Sequence, residues 1–553
     1  MMRPRVCPVG LRACLTALSL FLATTAAAQL PTVITISDPR GEMTEILSRG
    51  QQLEQQRRWG EALGHYEDAV RQHPNDSSLK QRFDAARLHY DIERRYSDRS
   101  FRESVVRLPT ERALELYGQV LLKIESHYVE LPRWTALVAH GTGNLEVALS
   151  EPMFLEQNVP ARDRDRIESF RAELRETLSS SLINSRTEAR AAVANVAQLA
   201  RERLEIAPAA VVLEYLCGAT SALDPYSSYL TPDQLSEVYA QIEGSFVGLG
   251  VELKALDGGL TVVRVIAGSP AEQAGVRGGD RILEVDNRST ERLTTDQAAN
   301  LLQGPDGTTV SLVVAAPGES ARRLSVRRRV VEVPSVDQVG IVDPQSGVGY
   351  LRLTCFQKTT ARDLDTALWK LHREGMRSLL IDVRGNPGGL LVSAVEVVDR
   401  FVDRGVIVST RGRNTQEDIT YSAHEQGKWR MPLVVLIDQD SASAAEIFAG
   451  AIRDHHRGTI VGVRSFGKGS VQGIFPLDES SSGIRLTTAK FYSPAGHPYA
   501  HIGVDPDIPV QRVRTTAKPI DGRMPQAEDT ALRVAIQTAR SLPLPSSQSQ
   551  ARN

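Results

Sequence analysis

Apolar patterning changes character twice along this chain, which excludes a single core. Up to about residue 222, apolar residues recur at helical spacing, as in "RIESFRAELRETLSSSL" and "EARAAVANVAQLARERLEI". Residues 241–333 are rich in Gly and Val and read as short strands, and from 334 onward Val/Ile/Leu runs alternate with helical stretches. A chain of 553 residues has length for about three to five domains. The expected fold class is multidomain α+β. It comprises helical regions over 29–100 and 101–240, a β-rich module over 241–333, an α/β core over 334–515, and a C-terminal helix with a disordered tail over 516–553.

The N-terminus carries Arg3, Arg5 and Arg12, an apolar run from Ala13 to Ala23, and small residues suited to cleavage after Ala28. These features read as a secretory signal over 1–28 and predict a secreted or periplasmic chain. The apolar run is about half the roughly twenty residues a membrane span needs. No longer run occurs later in the chain, so no transmembrane segment is expected once the signal is removed. Cys14 lies at the start of this run with the apolar core after it, the wrong order for a lipoprotein signal. With Cys7 and Cys14 removed, Cys217 and Cys355 remain in apolar contexts and read as buried thiols. A net charge of −2 and the absence of a solvated basic block argue against nucleic acid. The run "RRLSVRRR" alternates with apolar residues and reads as a strand with one solvated face.

Gly50, Ala62, Tyr66, Ala69 and Pro74, with Trp59 beside the turn, fall at the spacing of one tetratricopeptide helix pair. An ordinary helical hairpin accounts for them equally well. The helical N-terminal region leaves room for a protein partner.

The segment "DQDSASAAEIFAGAIRDHHRGTIVGVRSFGKGSVQG", 438–473, sets a serine before an alanine-rich helix and a lysine between Gly467 and Gly469. "GVRSFGK" has the spacing of a phosphate loop, but Gly469 stands where a Ser or Thr would hold magnesium. The segment after it, "SVQGIFPLD", contains β-branched residues and Pro476 and does not open a helix. Nucleotide binding is therefore set aside. A serine in a helix's first turn lies near free N–H groups and a favourable dipole, but it is a weak nucleophile that needs a base. His455 and His456 lie about 18 Å along the helix at 1.5 Å per residue, out of reach. Lys468 can act instead if burial disfavours its charged form.

"SFVGLGVEL" with "AGSPAEQAGVRGGDRILEVDN" resembles a PDZ domain. The resemblance implies that backbone N–H groups of the Gly248-Leu249-Gly250 loop receive a peptide's terminal carboxylate, while Leu249 and Val251 line a pocket for its apolar last side chain. The peptide is then added to the sheet edge. "SASAAEIFAGAIRD" with "SFGKGSVQ" resembles the carboxyl-terminal processing peptidases, or tail-specific proteases. "LDPYSSYL", "GYLRLTCF", "LLIDVRGNPGGLL", "LTTAKFYSPAG" and "GVDPDI" add to the match across residues 210–510. This resemblance implies Ser443 as nucleophile, Lys468 as base and Gln472 as the lysine's orienting partner. It further implies an oxyanion site formed by Gly388 or Gly389 with Ala444, a structural role for Asp454, and a core like those of crotonase and the Clp protease. No metal or cofactor is implied. The expected activity is that of a serine endopeptidase that captures proteins or peptides by a free C-terminus and cleaves near it. The alternatives are a catalytically silent PDZ/tetratricopeptide scaffold and a binder of small apolar ligands. Three positions depart from the family pattern: Ala445 for serine, Tyr226 for histidine in "LDPYSSY", and Gln303 where a basic residue is frequent. Against the same pattern, residues 133–205 read as a helical insertion longer than the family's usual approach to "LDPYSSY".

Overall fold

The computed structural model describes residues 39–543, other than 161–162, 180–181, 257–258, 292, 294–300, 425–428, 478–479 and 511–528. The expected signal at 1–28, with Cys7 and Cys14, and the end of the expected tail lie outside the described residues. The chain divides into two compact units, residues 1–87 and 88–553.

In the first unit, helices Pro39–Gln55 and Trp59–Gln72 form a hairpin, followed by the start of helix Ser77–Ser97. Leu53, Ala62, Tyr66, Ala69, Leu79 and Ala86 make its core. A Cβ on Gly50 would run into the Tyr66 ring, so the small residue there sets how closely the two helices approach. That contact suits a tetratricopeptide pair and an ordinary hairpin alike.

The second unit begins with a helical layer around Pro208–Ser221, a helix buried continuously from Ala209 to Thr220. A helix apolar on nearly all sides must be enclosed, and Thr110–His127, Trp134–Ala148 and Arg186–Leu204 enclose it. At the crossing with Trp134–Ala148, a Cβ on Gly218 would meet the backbone of Gly141. The helices of 133–205 thus contribute their apolar faces to this core and are not an appended arm. Glu214 is buried within it, held by Arg95 at 2.7 Å, by the Tyr96 hydroxyl at 2.8 Å and by Asn144. Cys217 is a buried free thiol and Cys355 a partly buried one.

The module after residue 241 has a sheet in the order Val251–Leu256, Gly259–Val265, Arg281–Val285, Thr309–Ala315, Arg322–Arg327. A two-stranded ribbon of Ser245–Gly248 with Arg329–Glu332 joins it to the rest. The basic run at 322–329 alternates as expected through Arg327, but Arg328 is buried. Its guanidinium donates to the carbonyls of Leu301 and Leu302, beside Gln303.

The α/β core is a six-stranded sheet in the order Val336–Asp343, Val348–Leu353, Ser378–Asp382, Leu433–Ile437, Thr459–Gly462, Ile508–Pro509. The first pair is antiparallel and the rest are parallel. Helices Thr360–Arg373, Leu391–Asp399 and Ala444–Asp454 cover one face. Helix Thr530–Ser541 covers the other, through Ala535 and Ala539. The parallel strands are apolar along both faces, as strands covered on both sides must be. A second sheet of Ser228–Leu230, Ser482–Tyr492, Val406–Gly412 and Thr420–Ser422, with Ser470–Leu477 paired to Ser482–Tyr492, completes this unit. Among the described residues, no helix is long and apolar enough to cross a membrane.

Candidate active site

Three adjacent parallel strands run in the same direction, so the segments that leave their C-terminal ends emerge side by side, the usual place for a site in an α/β sheet. After Ser378–Asp382 comes the loop of Gly388 and Gly389; after Leu433–Ile437, Ser443; after Thr459–Gly462, the turn carrying Lys468. Strand order alone therefore gathers residues up to about eighty positions apart.

Ser443 stands immediately before helix Ala444–Asp454 with φ 56° and ψ −114°. That backbone region is costly for a residue with a side chain. Glu446 holds it in place: the Ser443 N–H donates to Glu446 Oε2 at 2.8 Å. The same carboxylate oxygen accepts from the Lys468 N–H at 2.9 Å, and the other oxygen accepts from the Gly467 N–H and the Ser465 hydroxyl, both at 2.6 Å. One buried acid thus ties the serine's backbone to the lysine's turn. Burial pushes the Glu446 carboxyl up, and these four donors oppose that push. Sequence reasoning passes over Glu446, although S-x-x-E at a helix start is the signature of a reciprocal cap.

Lys468 is half-buried, and its Nζ lies 5.0 Å from the centre of the Tyr226 ring. Burial, assisted by the nearby Arg485, lowers its pKa to about 8, against the opposing pull of Glu446 and Asp224. Tyr226, the position noted above as departing from histidine, thus presents its ring to the lysine amine. Gly467 and Gly469, at φ 86° and 51°, let the turn pass close to residues 499–503, where a Cβ on Gly469 would meet the backbone of Ala500. Contact between this turn and the serine helix runs through the Gly467 and Lys468 amides to Glu446.

Ser443 and Lys468 Nζ share no hydrogen bond among the described residues, a separation that is common before substrate arrives. Gln472 Nε2 donates to the Ser470 carbonyl at 3.1 Å and hydroxyl at 2.9 Å, and not to Lys468. His455 Nε2 pairs with the Val406 carbonyl at 2.7 Å. Asp454 accepts the Ala495 N–H at 3.0 Å, a tie from the helix to the turn beside it. The segment after Lys468 is strand Ser470–Leu477, which a phosphate loop could not use.

Gly388 and Gly389 have φ 102° and 143°, and a Cβ on Gly388 would crowd Ser443 Cβ and the Ala444 nitrogen. The Gly388 N–H is already committed to Asn386 Oδ1 at 2.8 Å. Among the described residues, the N–H groups of Gly389 and Ala444 have no acceptor. Asn386 also connects the two loops, since its carbonyl accepts the Ala442 N–H at 2.9 Å. Ser441 is buried, donates to the Val383 carbonyl at 2.8 Å and accepts the Asp438 N–H, so its work is structural.

In the β-rich module, Gly250 has φ 83° and lies against Ser269, while a Cβ on Gly248 would meet the Phe246 ring. The Leu249 and Gly250 carbonyls accept from Ala271 and Ile266, both at 2.9 Å. Leu249 is buried in the module's core and Val251 packs at its margin. Val251–Leu256 is the edge strand of its sheet, paired only with Gly259–Val265 among the described residues.

Residues 261–315 match the PDZ domain, and residues 347–510 match peptidase family S41. The fold and these matches define a serine-type peptidase with a PDZ module. The carboxy-terminal-processing protease of Bartonella bacilliformis is 38% identical over 301 residues, spanning 53% of this chain and 68% of the relative. The carboxyl-terminal-processing protease of Synechocystis is 35% identical over 294 residues, 52% of this chain and 68% of the relative. This chain belongs to the carboxy-terminal processing protease family. Among solved structures it is similar to a photosystem II D1 C-terminal processing protease, with 26% identity, TM-score 0.38, and coverage of 72% of this chain and 92% of the other.

Proposed function

We propose that this protein is an exported endopeptidase that captures proteins by a free C-terminus and cleaves near that end with a Ser-Lys pair. The observation that carries this reading is the Glu446 carboxylate, which joins the strained backbone of Ser443 to the turn of a lysine whose pKa is lowered to about 8. A lysine at that value is partly neutral near physiological pH and able to accept a proton.

In the proposed reaction, Lys468 Nζ takes the Ser443 hydroxyl proton as Oγ attacks the peptide carbonyl carbon. Negative charge develops on the carbonyl oxygen, where the Gly389 and Ala444 N–H groups receive it. The Lys468 ammonium returns its proton to the departing amine, leaving an acyl ester on Ser443. Water then attacks the ester carbon as Lys468 takes its proton; the bond to Ser443 Oγ breaks, the Lys468 ammonium returns the proton to Oγ, and the new C-terminal carboxylate leaves. Gln472, with its amide nitrogen committed to Ser470, keeps an oxygen to accept from the lysine amine.

Substrate capture is assigned to the Gly248-Leu249-Gly250 loop and to the open edge of Val251–Leu256, where an extended peptide adds as a strand. The arginines and apolar run at the N-terminus support export across a membrane. The test is to incubate the mature chain with an unfolded protein and with paired peptides that differ only in a free or amidated C-terminus. Cleavage should vanish in Ser443→Ala. Amidation should weaken capture by about 2 kcal/mol, the cost of lost charge-assisted hydrogen bonds. Equal cleavage of the free and amidated peptides at low concentration would refute C-terminal recognition.

A further inference from the structure

The oxyanion loop contains three glycines with positive φ, Gly385, Gly388 and Gly389, which tolerate many backbone shapes; Pro387 and the Gly388–Asn386 bond restrain its middle, and its start at Gly385 depends on anchors. Its first anchor is Arg384, the residue before Gly385. The Arg384 guanidinium is gripped on one side by the buried Asp382, with Nη2 to Oδ2 at 2.6 Å and Nε to Oδ1 at 3.0 Å. On the other side it meets Asp529 in a two-pronged pair, Nη1 to Oδ1 and Nη2 to Oδ2, both at 2.9 Å. Its carbonyl accepts from Arg352 at 3.2 Å, and the next amide, Gly385 N–H, donates to Asp438 on the serine's loop at 2.9 Å.

Asp529 lies beyond the stretch that matches the peptidase family, which ends at 510. It caps helix Thr530–Ser541 by accepting the Leu532 N–H at 2.9 Å. That helix lies on the sheet face opposite the serine helix, with Ala535 and Ala539 against Val348, Leu380, Val434 and Val461. Its far end is tied by Arg540 to Asp343 at 2.6 Å. The C-terminal helix therefore meets Arg384, at the start of the oxyanion loop, through the bidentate pair of Asp529.

We propose that Asp529 is a positioning residue for peptide cleavage: docked with its helix, it fixes Arg384 and through it the Gly385–Gly389 turn that presents the Gly389 amide. This rests on the assignment of Gly389 and Ala444 as oxyanion donors. Since an oxyanion exists only after attack, loosening the loop should reduce kcat and leave KM unchanged.

The test compares four full-length variants with wild type on an unfolded protein substrate and by deuterium uptake of peptides covering 384–390. Asp529→Asn keeps a cap acceptor for Leu532 but loses the carboxylate pair. Asp529→Glu retains the charge. Arg540→Ala loosens the same helix at its other end. Ser443→Ala controls for the reaction itself. The expected results are at least a tenfold loss of kcat in Asp529→Asn with KM within twofold, faster exchange at 384–390, partial recovery in Asp529→Glu, and kcat within twofold of wild type in Arg540→Ala. Wild-type kcat and unchanged exchange in Asp529→Asn would overturn the proposal. So would an equal loss of kcat in Arg540→Ala, which would reduce the helix to a general stabiliser. Ser443→Ala cleaving like wild type would overturn the proposed reaction instead, while the exchange comparison would still decide whether Asp529 orders the loop.

Discussion

Replacing Glu446 with glutamine tests whether one carboxylate organises the site. Its two oxygens each receive two donors: Ser465 and Gly467 on one, Ser443 and Lys468 on the other. A glutamine has one acceptor oxygen, so one pair of donors must face an NH2 group instead. At about 1.5–3 kcal/mol for a hydrogen bond to a charged group, two lost bonds come to roughly 3–6 kcal/mol. If even half of the larger figure is felt in the transition state, kcat falls by on the order of 100-fold. The substitution also removes a negative charge that favours the ammonium form of Lys468. The lysine pKa must then drop below its value of about 8, and the low-pH limb of kcat/KM moves to lower pH. Rates measured from about pH 6 to 10 on one peptide substrate read both effects. Wild-type kcat, or a limb displaced to higher pH, would refute this role for Glu446.

Lys468→Arg should be as inactive as Lys468→Ala in the same assay, because arginine stays protonated across that range. Ser443→Ala should abolish cleavage with a nearly unchanged melting temperature. Ser441→Ala should leave the chemistry intact but destabilise the fold by about 1–3 kcal/mol, because its buried hydroxyl bonds Val383 and Asp438; an equal melting temperature in denaturation scans would contradict this. Glu214→Ala should destabilise the helical layer by about 3–5 kcal/mol, since it strands Arg95 as a buried, uncompensated charge. Urea unfolding of the whole chain measures it, and a loss under about 1 kcal/mol would show that water reaches the pair.

Elements and chemistry encoded in contiguous residues are legible in the sequence by itself. The change from helical spacing to Gly- and Val-rich short strands, and then to apolar runs between helical stretches, marks the helical layer, the β-rich module and the α/β core, because such patterns depend on residues a few positions apart. Ser443 at a helix start and Lys468 between glycines are likewise local patterns, and helix geometry alone excludes the histidines. The features that the sequence does not disclose depend on strand order. The parallel arrangement of Ser378–Asp382, Leu433–Ile437 and Thr459–Gly462 puts Glu446 between two loops, commits the Gly388 amide to Asn386, and buries Ser441 against Val383. It also decides that Lys468 lies over Tyr226 and that Arg384 finds Asp529 at a distance of 145 residues along the chain. A hydrogen bond across such a separation leaves no periodic trace in the sequence, because its partners are brought together by the packing of the whole sheet.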